Sequence, residues 1–405
     1  MRVVYLHQYF LTPEMAGGTR SYEMARRLAA AGHEVHMITS DQRPAPGGHW
    51  RDTDEAGIRV HWAAVPYDNT MSFGQRIVAF ARFAWMATRR AVALRGDVIF
   101  ATSTPLTIAI PALVASWIRR VPFVFEVRDL WPDVPIALGA IRNPGAVRLA
   151  RWLENLAYRR ASHVVALAPG MRDDIVAKGI PAAKVSVIPN GCDLDVFGKG
   201  GNARAVRDTH SWLGERRLVL FAGTIGMVNG VDYLVEVARE VKALDAEIRF
   251  ALFGAGRERE SVRDLAERTG VLGVNFFMHD PVPKKQLADW LAAADLAVAL
   301  FTGPRVVWKD AVQNKFFDAL AAGKPIANNF DGWQSQIAAA AGVGLILDPK
   351  DAAAAARQLV HALNDAQWLA EVPARARRLA EGQFSRDRLA AQLGAILEAA
   401  AKRQC

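Results

Sequence analysis

"RRLVLFAGTIGMVNGVDYLVEVAREVKAL", residues 216–244, decides the fold. "RRLVLFAG" reads as a strand, an apolar run with no polar alternation, as expected where both faces of a sheet are covered. Gly223, Gly226 and Gly230 then interrupt the pattern, and "VDYLVEVAREVKAL" resumes it with helical spacing. Strand, glycine-rich loop and helix in this order open a βαβ unit, which requires a parallel sheet.

Working outward, the alternation continues to the C-terminal side. "IRFALFGAG" is a strand, "ESVRDLAERTG" a helix, "VNFFMHD" a strand and "KKQLADWLAAA" a helix. "DLAVALF", "KPIANNF" and "GVGLILD" follow as strands, with "NKFFDALAAG" as a helix between the first two. On the N-terminal side the pattern lapses through "NGCDLDVFGKGGNARAVRDTHSWLGE", which reads as an interdomain connection. Before it the alternation is present again, from "RVVYLHQYF" through "EVHMITS", "DVIFATS", "FVFEV" and "ASHVVALAP" to "VSVIPNG". The expected class is α/β, with two Rossmann-like doubly wound domains at 1–195 and 196–385. A last helix at 386–405 belongs to either domain and is a candidate to pack back on the first.

The 405 residues exceed the roughly 250–300 that one core usually serves, which agrees with two domains. Two cysteines, Cys192 and Cys405, make a disulfide scaffold or a cysteine metal site improbable. The opening "MRVVYLHQYFLTPE" reads as a strand rather than a signal peptide, and the expected compartment is the cytoplasm. The longest apolar run, "PLTIAIPALVASWI", has the length of a buried helix. The formal charge of +9 favours anionic partners. Basic residues are spread along the chain and no nucleic-acid module appears, so nucleic acid is not expected.

Ligands of open parallel sheets bind at the carboxyl ends of the strands. Gly17 and Gly18 follow the first strand and precede a helix for which Thr19 is a plausible N-cap; such a loop suits an anion or is simply a turn. Gly223, with Thr224 and Asn229, and Gly254 with Gly256 occupy equivalent places in the second half. Asp41 follows the second strand, where an acid would meet the ribose of a dinucleotide. The fingerprint G-x-G-x-x-G is nevertheless absent at both loops, which weighs against an NAD(P)- or flavin-dependent enzyme. No Walker A pattern is present.

"KDAVQNKFFDALAAGKP", residues 309–325, holds the most chemistry. Asn314 is a candidate cap, Phe316, Phe317 and Leu320 can pack the helix, and Gly323 ends it. Asp318 lies about one turn into the helix, where the dipole favours a carboxylate and vicinal hydroxyls of a ribose would find an acceptor. Asp310 precedes the helix and can reach another part of the same ligand. Lys315 sits in the first turn, where the dipole disfavours a cation, so it asks for an anionic partner. In the first half, Glu126, Arg128 and Asp129 follow a strand; Glu126 and Arg128 suit either an ion pair or acceptor binding. His7 ends the first strand, where it suits either acceptor binding in the cleft or a structural role.

Taken jointly, Gly17-Gly18, "EVRDLWPD" (126–133), "IPNGCDLDVF" (188–197), "FAGTIGMVNG" (221–230), "FGAG" (253–256) and "NKFFDALAAGKPI" (314–326) make the chain resemble the retaining glycosyltransferases of the GT-B fold, in the large family numbered 4. The likeness runs over nearly the whole length. Within the family it resembles bacterial enzymes of O-antigen, capsule and exopolysaccharide assembly, among them N-acetyl-fucosamine transferases. The resemblance implies a nucleotide-sugar donor in the C-terminal domain, an acceptor in the N-terminal domain and no metal or other cofactor. It further implies an undecaprenyl-diphosphate-linked saccharide acceptor and a place at the inner face of the plasma membrane. Asp310 and Asp318 stand where the family has two glutamates, on the transferred sugar and the donor ribose respectively. Thr224 and Asn229 stand where the family usually has an arginine and a lysine that clamp the diphosphate. Lys315, Lys309 and Arg305 are the candidates to replace them. Asp129 is the candidate to orient sugar or acceptor, where many relatives place a histidine. The stretch at 190–197 is the expected hinge. A basic amphipathic face at 72–97 is the candidate contact with anionic lipid, although a buried helix fits the same pattern. A two-domain nucleotide-dependent enzyme, or a nucleotide-sugar epimerase of the same fold, is the alternative.

Overall fold

The computed structural model describes residues 1–15, 17–41, 49–67, 71–103 and 105–402. The chain divides into two units. The first comprises Met1–Thr12, Thr19–Pro189 and Asp387–Cys405, and the second Pro13–Gly18 and Asn190–Arg386. Cys405 lies outside the described residues, and Cys192 is buried as a free thiol.

The first unit is built on an eight-stranded sheet. Its strands are β1 (Arg2–Leu6), β2 (Glu34–Asp41), β3 (Trp50–Glu55), β4 (Ile58–Ala64), β5 (Val98–Thr102), β6 (Phe123–Val127), β7 (His163–Ala166) and β8 (Val185–Val187). They lie in the order β3-β4-β2-β1-β5-β6-β7-β8. All neighbours pair in parallel except β3 with β4, a hairpin that closes one edge. The order reverses at β1, which places the loops after β1 and β5 at a topological switch point. Val3, Tyr5, Val35, Met37, Val98 and Phe100 form a core on one face. The last helix, Arg386–Lys402, buries Leu389, Leu393 and Leu397 in that same core, and Arg27 pairs with Asp387 at its start.

Three further helices of this unit pack in succession, Phe73–Leu94 against Ala109–Arg119 and the latter against Pro144–Arg160. Their outer sides carry Ile77, Val78, Trp85, Ile110, Trp117, Ile118, Leu149 and Trp152 in exposed positions. Together they hold nine arginines and one acid, Glu154, which is buried against Lys178. Among the described residues no helix is long and apolar enough to cross a membrane.

The second unit carries a six-stranded, wholly parallel sheet. Its strands are β9 (Arg217–Ala222), β10 (Ile248–Phe253), β11 (Phe276–His279), β12 (Leu296–Ala299), β13 (Ile326–Asn328) and β14 (Gly344–Ile346), in the order β11-β10-β9-β12-β13-β14. The apolar run of β9 serves both faces. Leu218 and Leu220 join one core with Phe316, Phe317 and Leu320, whereas Val219 and Phe221 join the other with Val235 and Phe250. That two-sided burial is why the strand shows no alternation. The switch point is β9, flanked by β10 and β12, and the Gly223 loop leaves its carboxyl end.

Candidate functional site

In the second unit, several loops converge on the end of β9. Gly223 follows the strand, and the chain turns through Gly230, at φ +52°, into the helix Val231–Leu244. The loop after β10 approaches so closely that a Cβ on Gly254 would stand 2.1 Å from the Gly223 carbonyl oxygen. Glycine is required there by contact, since no side chain fits. Thr224 is exposed and Asn229 half-buried in the same loop, while Gly256 lies against the Ile225 backbone.

The helix Asn314–Ala321 brings its first turn to this loop. Lys315 Nζ lies 3.9 Å from the centroid of the Phe221 ring, and a Cβ on Gly223 would meet it at 3.0 Å. The ammonium is buried and finds no hydrogen-bond partner among the described residues. Burial lowers its pKa from 10.5 to about 7. A cation that has lost its water, rests on a ring face and still lacks an acceptor is poised for an anion.

Asn314 does not cap this helix: it is the first helical residue, Gln313 flanks it, and no side chain caps the end. Asn314 lies instead against Gly18, where a Cβ would stand 2.7 Å from its Nδ2. Thr19 likewise flanks the helix Arg20–Ala30 without making a side-chain cap bond. Gly323, at φ +70°, ends the Asn314–Ala321 helix region as expected.

Asp310 and Asp318 are 8% and 6% exposed. Lys309 Nζ is 3.4 Å from Asp310 Oδ2. Arg305 opens the short helix Arg305–Trp308 in an exposed position. Asp318 Oδ1 lies 3.8 Å from Lys284 Nζ. Lys284 also donates to Asp193, which is fully buried and paired with Arg386 at 2.8 Å. Burial opposes ionisation of Asp193, but Arg386 and Lys284 overcome it and hold the carboxyl well below its usual range.

A cavity of about 450 Å³ is lined by the helices Ala203–Thr209 and Lys284–Ala293. Asn202, His210, Phe253, His279, Val282 and Trp290 are among its walls. His279 stacks on Phe253 at 4.7 Å between centroids, and burial followed by His210 keeps it largely neutral.

In the first unit, the residues after β6 divide. Glu126 is fully enclosed and does not pair with Arg128, one of the two readings open to it. Arg20 takes it instead, with Nη2 donating at 2.7 Å, and Thr102 Oγ1 donates to its other oxygen at 2.6 Å. Burial raises its pKa, but Arg20 outweighs burial and the value falls below the usual one. Arg20 also donates to the carbonyls of Ile188 and Pro189, so the pair ties the first helix to β6 and to the end of β8. Glu126 thus belongs to the frame, a correction to its reading as an acceptor ligand. Arg128 Nη1 lies 3.2 Å from His7 Nε2, and its backbone N–H donates to Ser103. His7 is buried, and burial with the nearby Arg128 charge holds it neutral well below its ordinary pKa. Asp129 is exposed.

Arg20, Lys284, Asp193 and Arg386 escaped the sequence reading. Lys284 alone carried a signal: a cation opening a helix is opposed by the dipole and implies buried acids nearby.

Residues 16–191 match the family described as "Glycosyl transferase 4-like domain", and residues 216–365 match "Glycosyl transferases group 1". The chain is 25% identical over 285 residues to the putative colanic acid biosynthesis glycosyl transferase WcaI of Escherichia coli K12, covering 66% of this chain and 69% of that one. Sucrose-phosphate synthase of Thermosynechococcus elongatus shares the fold with a TM-score of 0.77 at 17% identity, covering 98% of each chain. Anabaena HepE, solved in complex with UDP and glucose, shares it with a TM-score of 0.71 at 17% identity, over 98% of this chain and 100% of its own. The two domain matches follow one another along the chain in the same order as the two α/β units, and the protein is a glycosyltransferase made of a glycosyl transferase 4-like domain followed by a group 1 domain.

Proposed function

We propose that the protein transfers a hexosyl or N-acetylhexosaminyl unit, with retention, from a nucleoside diphosphate sugar to a lipid-linked saccharide in surface polysaccharide synthesis. The observation that carries the donor half of this reading is Lys315, a buried ammonium beside the glycine loop of β9 with no acceptor among the described residues. A diphosphate supplies the missing acceptor. Gly223, Thr224 and Asn229 then line the phosphates, Asp318 accepts from the ribose hydroxyls and Asp310 faces the transferred sugar. Gly17, Gly18 and Asn314 close on the donor, with Gly254 and Gly256 shaping the loop. The cavity walled by Phe253 and His279 suits a nucleobase. UDP in HepE and the name of WcaI agree with such a donor and such a product.

In the reaction the anomeric carbon–diphosphate bond breaks and the acceptor oxygen bonds to the same face. The acceptor's proton passes to a diphosphate oxygen, so no strong protein base is required. The growing negative charge on the leaving group meets Lys315 and backbone N–H groups in a dry site, where such interactions are strongest. No divalent metal has a part in this scheme. Asp129 and Arg128 orient the acceptor, with neutral His7 behind Arg128. The arginine-rich three-helix face of the first unit supports peripheral attachment to the cytoplasmic leaflet, next to an acceptor on undecaprenyl diphosphate. The "EVRDLWPD" motif supports the N-acetyl-fucosamine transferase-like subgroup. The dinucleotide-dependent and epimerase alternatives are not favoured by the two glycosyltransferase domain matches.

A panel of nucleotide sugars, read by thermal shift with and without EDTA, tests the proposal. Stabilisation by one donor, unchanged by EDTA, is expected. Stabilisation by NAD(P) alone, or only with a metal present, overturns it.

A further inference from the structure

The carboxylate assigned to the ribose does not stand alone. Lys284 Nζ lies between two buried acids, donating to Asp193 and 3.8 Å from Asp318 Oδ1. Arg386 holds Asp193 from the other side, with Nε at 2.8 Å from Oδ1 and Nη2 at 3.3 Å from Oδ2. The four groups balance in charge, two cations against two anions. Arg386 neutralises Asp193, which leaves the field of Lys284 for Asp318. The packing is tight: the Asp193 and Arg386 side chains are 0% and 1% exposed, and Phe197 lies 5.5 Å from the ammonium.

We propose that Lys284 is a positioning residue for the donor site, holding Asp318 as a fixed, charged acceptor for the ribose hydroxyls through a relay anchored by Asp193 and Arg386. This rests on the reading of Asp318 as the ribose ligand. A lysine opening a helix works against the dipole, so its place is maintained by the acids it serves. Burial pulls its pKa down, yet Asp318 and then Asp193 outweigh burial and the net shift is upward, so it is a cation throughout the physiological range. Without it, Asp318 loses the cation 3.8 Å from its Oδ1, and its hold as a charged acceptor for a pair of donating hydroxyls weakens.

The test compares UDP, GDP and ADP with their 2′-deoxy counterparts on the full-length protein by titration calorimetry. The wild type is expected to prefer the ribonucleotide of its own base about tenfold or more, in line with a charged hydrogen bond. Lys284→Met is expected to bring that ratio close to one, and Lys284→Arg to restore most of it. A general loss of structure would lower both affinities and leave the ratio in place. If Lys284→Met is poorly folded, Asp193→Asn with Arg386 retained makes the same comparison through the relay. A ratio unchanged in Lys284→Met but abolished in Asp318→Asn overturns the role of Lys284 alone. A wild type that binds the ribonucleotides without any preference overturns the ribose assignment, and this inference with it.

Discussion

Lys315 is the residue at which chemistry and stability oppose each other. Its folded-state pKa is lowered from 10.5 to about 7 by burial. Between those values the unfolded chain binds more protons than the folded one, so stability rises as pH climbs from about 7 toward 10.5. Below about 7 both states are protonated and the whole cost of burying the charge is present. Lys315→Met is therefore expected to raise the melting temperature of the free protein at pH 7 and to flatten its dependence on pH from 7 to 10. The same change should weaken nucleoside diphosphate binding by roughly 10- to 100-fold, the loss of one charge-assisted hydrogen bond. A diphosphate returns the lysine to its charged form, so binding at pH 8 should take up close to one proton, about the full difference between a group of pKa 7 and one near 10. Calorimetry in buffers of different ionisation enthalpy measures that number. Proton-neutral binding would remove Lys315 from the diphosphate. Its importance was legible because a cation in a first helical turn demands a partner, whereas its perch on Phe221 was not, since the ring lies on a strand far away in the sequence.

At the level of elements, the contact between the β9 and β10 loops sets the shape of the site. A methyl group on Gly254 would press on the Gly223 carbonyl, and a second neighbour, Ile225, stands at 3.1 Å. Gly254→Ala is expected to cost about 1–3 kcal/mol by overpacking, read as a lower urea midpoint, and to weaken donor binding because the Gly223 loop must shift. An unchanged midpoint would mean that the loop yields freely. The helix Phe73–Leu94 offers a local contrast, since Ser72 and Gln75 form a reciprocal capping box. Ser72→Ala should cost about 1 kcal/mol in the same assay without any effect on nucleotide binding. Strands and helices were legible because their apolar periods are local properties of the chain. The partners were not. Glu126 was weighed against Arg128, two residues away, while the structure pairs it with Arg20, more than a hundred residues distant. Asn314 looked like a cap by its neighbours in sequence and is instead packed against Gly18.

Across the whole molecule the charge is unevenly held. The helices Phe73–Leu94, Ala109–Arg119 and Pro144–Arg160 carry nine arginines and one buried glutamate, leaving 41 basic and 40 acidic residues elsewhere. The formal excess of the protein is therefore almost wholly a property of these three helices, which meet in succession. Trp85, Trp117 and Trp152 stand on them 60%, 77% and 58% exposed, one on each helix. Exposed tryptophan and arginine together would suit a lipid headgroup layer under the proposed attachment, where the ring enters the boundary and each basic residue gains about 1 kcal/mol from anionic lipid. Replacing the three tryptophans by serine should lower binding to phosphatidylglycerol-containing vesicles about tenfold or more and leave nucleotide binding intact. Binding of the wild type should weaken steeply between low and physiological salt, since Arg82, Arg89, Arg148, Arg151, Arg159 and Arg160 are exposed and screened. Sedimentation with vesicles of phosphatidylcholine alone separates the two contributions: the tryptophans act on both kinds of vesicle, the arginines only on the anionic one. A wild type that stays in the supernatant with anionic vesicles at low salt would leave the face without a lipid partner.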